Sequence, residues 1–143
     1  VLLYRDTPPL PPVMMDPEKM KQALLNILLN ALNVMPDGGE LHVYTFLQDD
    51  LEMFTGKPGI EVRICDTGPG VNPVDMDYIF DPFFTRTPKG TGLGLSITHS
   101  IIEEHNGKIV VDSKLGRGAC FKIFFPVETE RDEGESHGEH TRR

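Results

Sequence analysis

Asp16-Pro17-Glu18-Lys19-Met20-Lys21-Gln22-Ala23-Leu24-Leu25-Asn26-Ile27-Leu28-Leu29-Asn30-Ala31-Leu32-Asn33 is the stretch on which the reading of the chain turns. Asp16 is an N-cap residue, Pro17 sits where a missing N–H costs nothing, and Glu18 adds negative charge to the first turn. The helix is expected to run to about Met35 and to stop before Pro36-Asp37-Gly38-Gly39. On a helical wheel Gln22, Asn26, Asn30 and Asn33 fall within an arc of about 80°. Apolar residues fill almost all the remaining circumference. The expectation is a helix buried on most sides that bears a narrow stripe of amides. Buried amides need partners, so the stripe either caps neighbouring loops or faces a ligand. An amide oxygen is a hard donor that suits Mg²⁺ sharing its sphere with water and phosphate oxygens.

Outward from this helix the pattern is of strands. Val1–Tyr4 reads as a short strand cut off by Pro8, Pro9, Pro11 and Pro12, so the chain looks like a piece of something longer. Leu41–Leu47 alternates and is rich in β-formers, and Gly59–Cys65 places Ile60, Val62 and Ile64 on one face. Residues 48–58 between them read as a polar turn. From Asp66 to Gly92 periodicity gives way to recurring Gly and Pro, with one short helical piece near Met76–Phe80. An irregular stretch of that length inside a compact domain is usually functional. A helix is expected over Leu93–His105, ending at Asn106-Gly107. Strands at Lys108–Ser113 and Ala119–Val127 follow, joined at Gly116-Arg117-Gly118. Residues 128–143 contain no apolar side chain and are expected to be disordered. Strands and three helices out of strict alternation imply an α+β, two-layer sandwich with the helices on one sheet face.

Composition narrows the function. The 143 residues hold 14 Lys and Arg against 22 Asp and Glu, a net charge of −8. That balance argues against a nucleic-acid partner, whose affinity rests on many cation–phosphate contacts, without excluding a small anionic ligand at a locally positive site. No apolar run is long enough for a membrane span, and no signal-peptide pattern opens the chain. Cys65 and Cys120 are two isolated cysteines in strand-like sequence, expected as separate buried thiols in a reducing cytosol.

Two further constellations bear on chemistry. Asp66-Thr67-Gly68-Pro69-Gly70 lies just beyond a strand. It is either a Gly/Pro turn capped by its own Asp or a carboxylate accepting from a ligand amine, with glycines admitting a flat ring. Gly90-Thr91-Gly92-Leu93-Gly94-Leu95 opens a helix, where N–H groups at the positive end of the helix dipole suit phosphate. It matches neither the phosphate-binding loop nor the dinucleotide fingerprint. In order, amide stripe, carboxylate and anion-binding helix end are the parts of a nucleotide site.

These segments resemble the boxes of the ATP-binding catalytic domain of sensor histidine kinases, in the superfamily shared with type II topoisomerases, heat-shock chaperones and mismatch-repair ATPases. Gln22, Asn26 and Asn30-Ala31 resemble the N box, and Asp66-Thr67-Gly68-Pro69-Gly70 the G1 box. Phe80-Asp81-Pro82-Phe83-Phe84-Thr85 resembles the F box and Gly90–Leu95 the G2 box. The resemblance covers residues 1–127 and implies a Bergerat-type fold, a mixed sheet of about five strands with three helices on one face. It also implies roles. Asn30 with Asn26 would hold Mg²⁺ on the ATP phosphates, and Asp66 would accept from the adenine amine. Gly68 and Gly70 would allow close approach, and residues 71–92 would form a lid packed down by Phe83 and Phe84. Thr85 and the segment Gly90, Thr91, Gly92, Leu93, Gly94 and Leu95 would complete the ATP site.

Relatives with this F box continue Thr-Thr-Lys, whereas here Thr85-Arg86-Thr87 follows, so Arg86 or Lys89 would take the phosphate-reaching role. Asn33-Val34 stands where many kinases have a Lys. None of His42, His99, His105, His137 and His140 lies in a phosphoacceptor motif like His-Glu-x-x-Asn-Pro, and His99 and His105 read as surface residues. The resemblance therefore implies the ATP half of a two-component kinase. Its partners would be a dimerisation domain bearing the acceptor His and a response regulator, in the cytoplasm, with no membrane contact by this piece. The alternatives are a serine kinase of the anti-sigma type and a nucleotide-binding regulatory module without transfer activity.

Overall fold

The computed structural model describes residues 1–85 and 92–127. Five strands form one mixed sheet: β1 (Leu2–Asp6), β2 (Glu40–Leu51), β3 (Lys57–Asp66), β4 (Lys108–Lys114) and β5 (Gly118–Pro126). Their spatial order is β1-β2-β3-β5-β4, with β1 parallel to β2 and the other pairs antiparallel. Two helices, α1 (Pro17–Asn33) and α2 (Gly94–Glu104), pack against each other and against one face of this sheet.

The local chemistry accounts for the boundaries. Asp16 Oδ1 accepts from the N–H of Glu18 at 3.1 Å and of Lys19 at 3.3 Å, so the cap read from sequence starts α1. Helix α2 ends where Asn106 turns left-handed at φ 60° and Gly107 N–H returns to Ile102 O at 2.9 Å. Alternation in β3 and β5 sends Ile60, Ile64, Phe121, Ile123 and Phe125 to the helix side, where they meet Ile27, Ala31, Ile101 and Ile102. The opposite face is lined by a ladder of rings, Tyr4, His42, Tyr44 and Phe46, with the Arg63 guanidinium 4.8 Å from the Phe46 centroid. Arg63 also grips the buried Glu61 carboxylate at 2.6 Å, and Gln48 donates to the same group.

Four expectations change. The fold has two α-helices, not three: residues 73–80 form successive turns, Asp75 N to Asn72 O at 2.8 Å and Tyr78 N to Asp75 O at 2.8 Å. These i-to-i+3 bonds follow a Pro that supplies no N–H, and no i-to-i+4 ladder forms. Residues 48–58 are not all turn. Strand β2 runs on to Leu51 and β3 begins at Lys57, leaving a short 3-10 turn at Glu52–Phe54. Helix α1 is buried along one face only, at Met20, Ala23, Ile27 and Ala31, while Leu25, Leu29 and Leu32 are exposed. Two layers give a helix one buried face, whatever its composition. Lastly, Cys65 and Cys120 are not separate thiols. They are register partners across β3 and β5 and form a disulfide, with Cα atoms 4.0 Å apart. No helix of the described residues is long and apolar enough to cross a membrane.

Candidate functional site: a cavity between α1, α2 and the loop after β3

A cavity of about 420 Å³ opens where the two helices meet the loop that follows β3. Of the sequence-predicted residues, Asn26, Asn30, Gly70, Thr85, Gly92, Gly94 and Leu95 line it, and the stripe residue Asn33 does too. Three amides of the stripe thus face a cavity, and one of them, Asn26, also bonds the neighbouring backbone. Gln22 does not share the cavity: this residue lies on a separate groove with Lys19, Pro82 and Ser96. Arg86, Lys89, Gly90 and Thr91 lie outside the described residues, as does the tail over 128–143.

Helix packing sets the amides. Asn26 Nδ2 donates to Gly94 O at 3.2 Å, so one amide of α1 fastens the first turn of α2. That assignment turns its Oδ1 into the acceptor atom available to a ligand. The contact does not itself require glycine, since a Cβ on Gly94 would meet Asn26 at 3.8 Å, an ordinary contact distance. Below it, Thr98 is wholly buried and donates to Ala23 O at 3.2 Å. The N-cap residue of α2 is Leu93, with no side-chain cap bond, and Gly94 and Leu95 at the positive end of the helix line the cavity.

Asp66, Gly68, Phe83 and Leu93 are not on the cavity wall. Asp66 is 7% exposed and its Oδ1 accepts from Gly68 N–H at 2.9 Å and Ala119 N–H at 3.4 Å. Burial raises its pKa above the ordinary carboxylate value, and the two backbone N–H groups pull the other way. The loop it opens enters the cavity at Gly70 and Val71. Phe83 departs from expectation: its ring is 74% exposed, and its main chain, at φ 68°, does the work, with its N–H on Gly92 O at 2.8 Å. A Cβ on Gly92 would lie 2.6 Å from Phe83 Cα, so only glycine fits that meeting of backbones. Phe84 does pack inward, as expected, against the core and Tyr78.

Sequence reasoning missed several wall residues. Leu29, Val34, Ile79 and Phe121 are apolar and indistinguishable in sequence from core positions, and Asp75 is one of several acids in the loop. His105, a surface residue by sequence, joins the helices. Its Nδ1 meets Ile101 O at 2.7 Å and its Nε2 accepts from Asp16 N–H at 3.0 Å.

The family model for histidine kinase-, DNA gyrase B- and HSP90-like ATPases matches residues 15–129. The chain belongs to this family. Within it, the chain is similar to sporulation kinase E of Bacillus subtilis, 37% identical over 124 residues, covering 87% of this chain and 16% of that protein. It is similar also to the sensor histidine kinase ZraS of Escherichia coli K12, 35% identical over 122 residues, covering 85% of this chain and 24% of the relative. Among solved structures, the mycobacterial sensor histidine kinase MprB superposes with a TM-score of 0.75 at 29% identity, covering 87% of this chain and 80% of that one. Full-length ShkA, solved in complex with AMPPNP, gives 0.74 at 29% identity over 90% of this chain and 26% of that one. The chain thus spans less than a quarter of the length of sporulation kinase E and of ZraS, and what it supplies is the ATP-binding catalytic domain of the histidine kinase type. The serine-kinase and non-transferring alternatives are not favoured by these relatives.

Proposed function

We propose that residues 1–127 bind MgATP and present its γ-phosphoryl group to a histidine on a dimerisation domain, from which it passes to an Asp of a response regulator. The observation behind this reading is the convergence of Asn26, Asn30, Gly70 and the start of α2 on one cavity. Those elements come from three separate parts of the chain, and each suits a different part of a nucleotide.

In this reading Asn30 and Asn26 hold Mg²⁺ through their amide oxygens, and the ion supplies charge neutralisation at the phosphates. The donor set fits. Asn26 spends its N–H on Gly94, and no group of three His, Cys, Asp or Glu among the described residues could hold a metal alone. A sphere completed by phosphate and water is the arrangement two amides allow. Gly92, Gly94 and Leu95 turn backbone N–H groups toward the phosphates, while Arg86 or Lys89 adds the cation that relatives draw from Lys. Asp66 accepts from the adenine 6-amino group, and guanine offers a carbonyl there instead. Gly68 and Gly70 let the ring approach. Thr85 borders the site, and Phe84 packs the lid, residues 71–92, onto the core. Transfer is chiefly a matter of positioning and charge, and the acceptor histidine comes from elsewhere. Use of the ATP pool supports a cytoplasmic location, where the Cys65–Cys120 pair would meet reductant.

Calorimetric titration with ATP and GTP, each with and without Mg²⁺, tests this on wild type and Asp66→Asn. The expected result is ATP binding strengthened by Mg²⁺, weak GTP binding, and a loss of about tenfold or more in Asp66→Asn, as for a hydrogen bond to a charged group. Equal binding of ATP and GTP, or an unimpaired Asp66→Asn, would remove Asp66 from the adenine site. Adding a histidine-bearing dimerisation domain in trans then reports transfer as acid-labile phosphate on that domain.

A further inference from the structure

Three hydrogen bonds and two glycines tie the loop Asp66–Val71 to the β4–β5 hairpin, and a fourth bond braces the hairpin itself. Gly116 N–H donates to Pro69 O at 2.6 Å, and Ala119 N–H reaches the Asp66 carboxylate. Val71 N–H donates to Ser113 Oγ at 2.7 Å, and that hydroxyl in turn donates to Gly118 O at 3.1 Å. Gly70 lies at φ 75° and Gly118 at φ 98°. A Cβ on Gly70 would overlap the Lys114 carbonyl, and one on Gly118 the Asp66 carbonyl, so hairpin and loop are in backbone contact at both points. On the other side Thr67 is held by β2: its N–H donates to Glu40 O and its hydroxyl accepts from Glu40 N–H at 2.9 Å.

Ser113 occupies a particular place in this set. It is half-buried, does not line the cavity, and holds the backbone of Val71, which does. Beyond Val71 the chain turns on itself, with Asn72 Oδ1 accepting from Val74 N–H at 3.1 Å and Asn72 O from Asp75 N–H. Val71 is thus where the fixed loop ends and the lid begins, and a serine 42 residues away pins that point.

We propose that Ser113 is a positioning residue for base selectivity: by fixing the root of the lid at Val71 it holds the Asp66–Gly70 segment in the register that distinguishes adenine from guanine. The proposal rests on the nucleotide reading of the cavity. A single hydroxyl meets both needs because it accepts from one backbone and donates to the other. Alanine in its place leaves Val71 N–H and Gly118 O without that partner and lets the loop drift relative to Asp66. Because Ser113 acts at the base end and not at the phosphates, its loss should appear in binding and KM, with kcat unchanged.

Two measurements on wild type, Ser113→Ala and Ser113→Thr test this. Amide exchange by NMR reads the bond directly: Val71 N–H should exchange about tenfold or more faster in Ser113→Ala, with core amides of β3 and β5 unchanged. Titration reads the consequence: ATP affinity should fall about tenfold, as for one or two lost hydrogen bonds, while GTP affinity stays low and unchanged, so the preference collapses. Ser113→Thr, which keeps the hydroxyl, should restore both. A merely destabilised fold would weaken both nucleotides together and leave their ratio intact, and that result would overturn the proposal. So would ATP preference retained in Ser113→Ala despite faster exchange at Val71. A wild type without ATP preference would overturn the nucleotide reading itself, and the exchange arm would still report whether Ser113 pins Val71.

Discussion

At the scale of single residues, the burial of Asp66 sets folding against the binding role proposed for it. Burial disfavours its charged form, so its folded pKa stands above the ordinary value of 3.8. Below that ordinary value the group is protonated in both states and costs nothing. As pH rises through the folded pKa the folded protein must release a proton the unfolded chain has already lost, so stability falls and then levels off. Asp66→Asn keeps an oxygen for the N–H groups of Gly68 and Ala119 and carries no charge. The stability difference between Asp66→Asn and wild type should therefore grow in favour of the variant as pH rises through that window, in urea titrations at matched pH. ATP binding should move in the opposite direction. A wild type that gains stability relative to Asp66→Asn as pH rises would contradict the burial argument.

At the scale of elements, the contact between α1 and α2 determines whether the amide stripe and the N-terminal turn of α2 face each other. Asn26 to Gly94 and Thr98 to Ala23 fasten the middle of the pair, and His105 closes its end by accepting from Asp16 N–H. With Nδ1 donating to Ile101 O, the ring is fixed in the tautomer whose Nε2 can accept. Lys19 meets Glu104 at 3.0 Å beside it, which raises the Lys19 pKa, but an exposed pair of this kind adds little. His105→Ala should lower stability by about 1 kcal/mol, the net worth of a typical hydrogen bond, in chemical denaturation. It should also speed exchange in the first turn of α1. His99→Ala, whose ring is 43% exposed beside Glu103 and lies 5.3 Å from the Phe80 ring, should leave exchange in the first turn of α1 unchanged, and equal exchange effects from the two would reduce His105 to a surface residue.

At the scale of the whole molecule, the Cys65–Cys120 link joins the third strand to the last across 55 residues of chain, enclosing the loop after β3, α2 and β4. Closing a loop of that length in the unfolded state is worth about 4 kcal/mol on the chain-entropy account. Unfolding in urea with and without dithiothreitol should show a large loss of stability in the reduced protein, matched by Cys120→Ser without reductant. The sheet ladder and the hairpin contacts around Asp66 remain in either state, so nucleotide binding to the folded protein should survive reduction. Loss of binding in the reduced but folded protein would show that the site depends on the bridge.

What the sequence determined by itself was local in origin. The cap at Asp16, the alternation of β3 and β5, the stop at Asn106-Gly107 and the glycines before α2 all follow from interactions within a few residues, which composition and period record directly. The cavity's polar wall was legible for the same reason, because aligned amides and a glycine-rich helix start are unusual where they stand. Tertiary structure decided the remainder. Strand register placed Cys65 opposite Cys120, and the sheet's single helical layer left Leu25, Leu29 and Leu32 of α1 exposed. Packing brought Phe121 to the cavity wall and made Phe83 a backbone contact, and topology carried Ser113 to the root of the lid. None of these has a local signature, since each depends on which distant backbone arrives at that point, and register and packing are settled only when the whole sheet and both helices are in place.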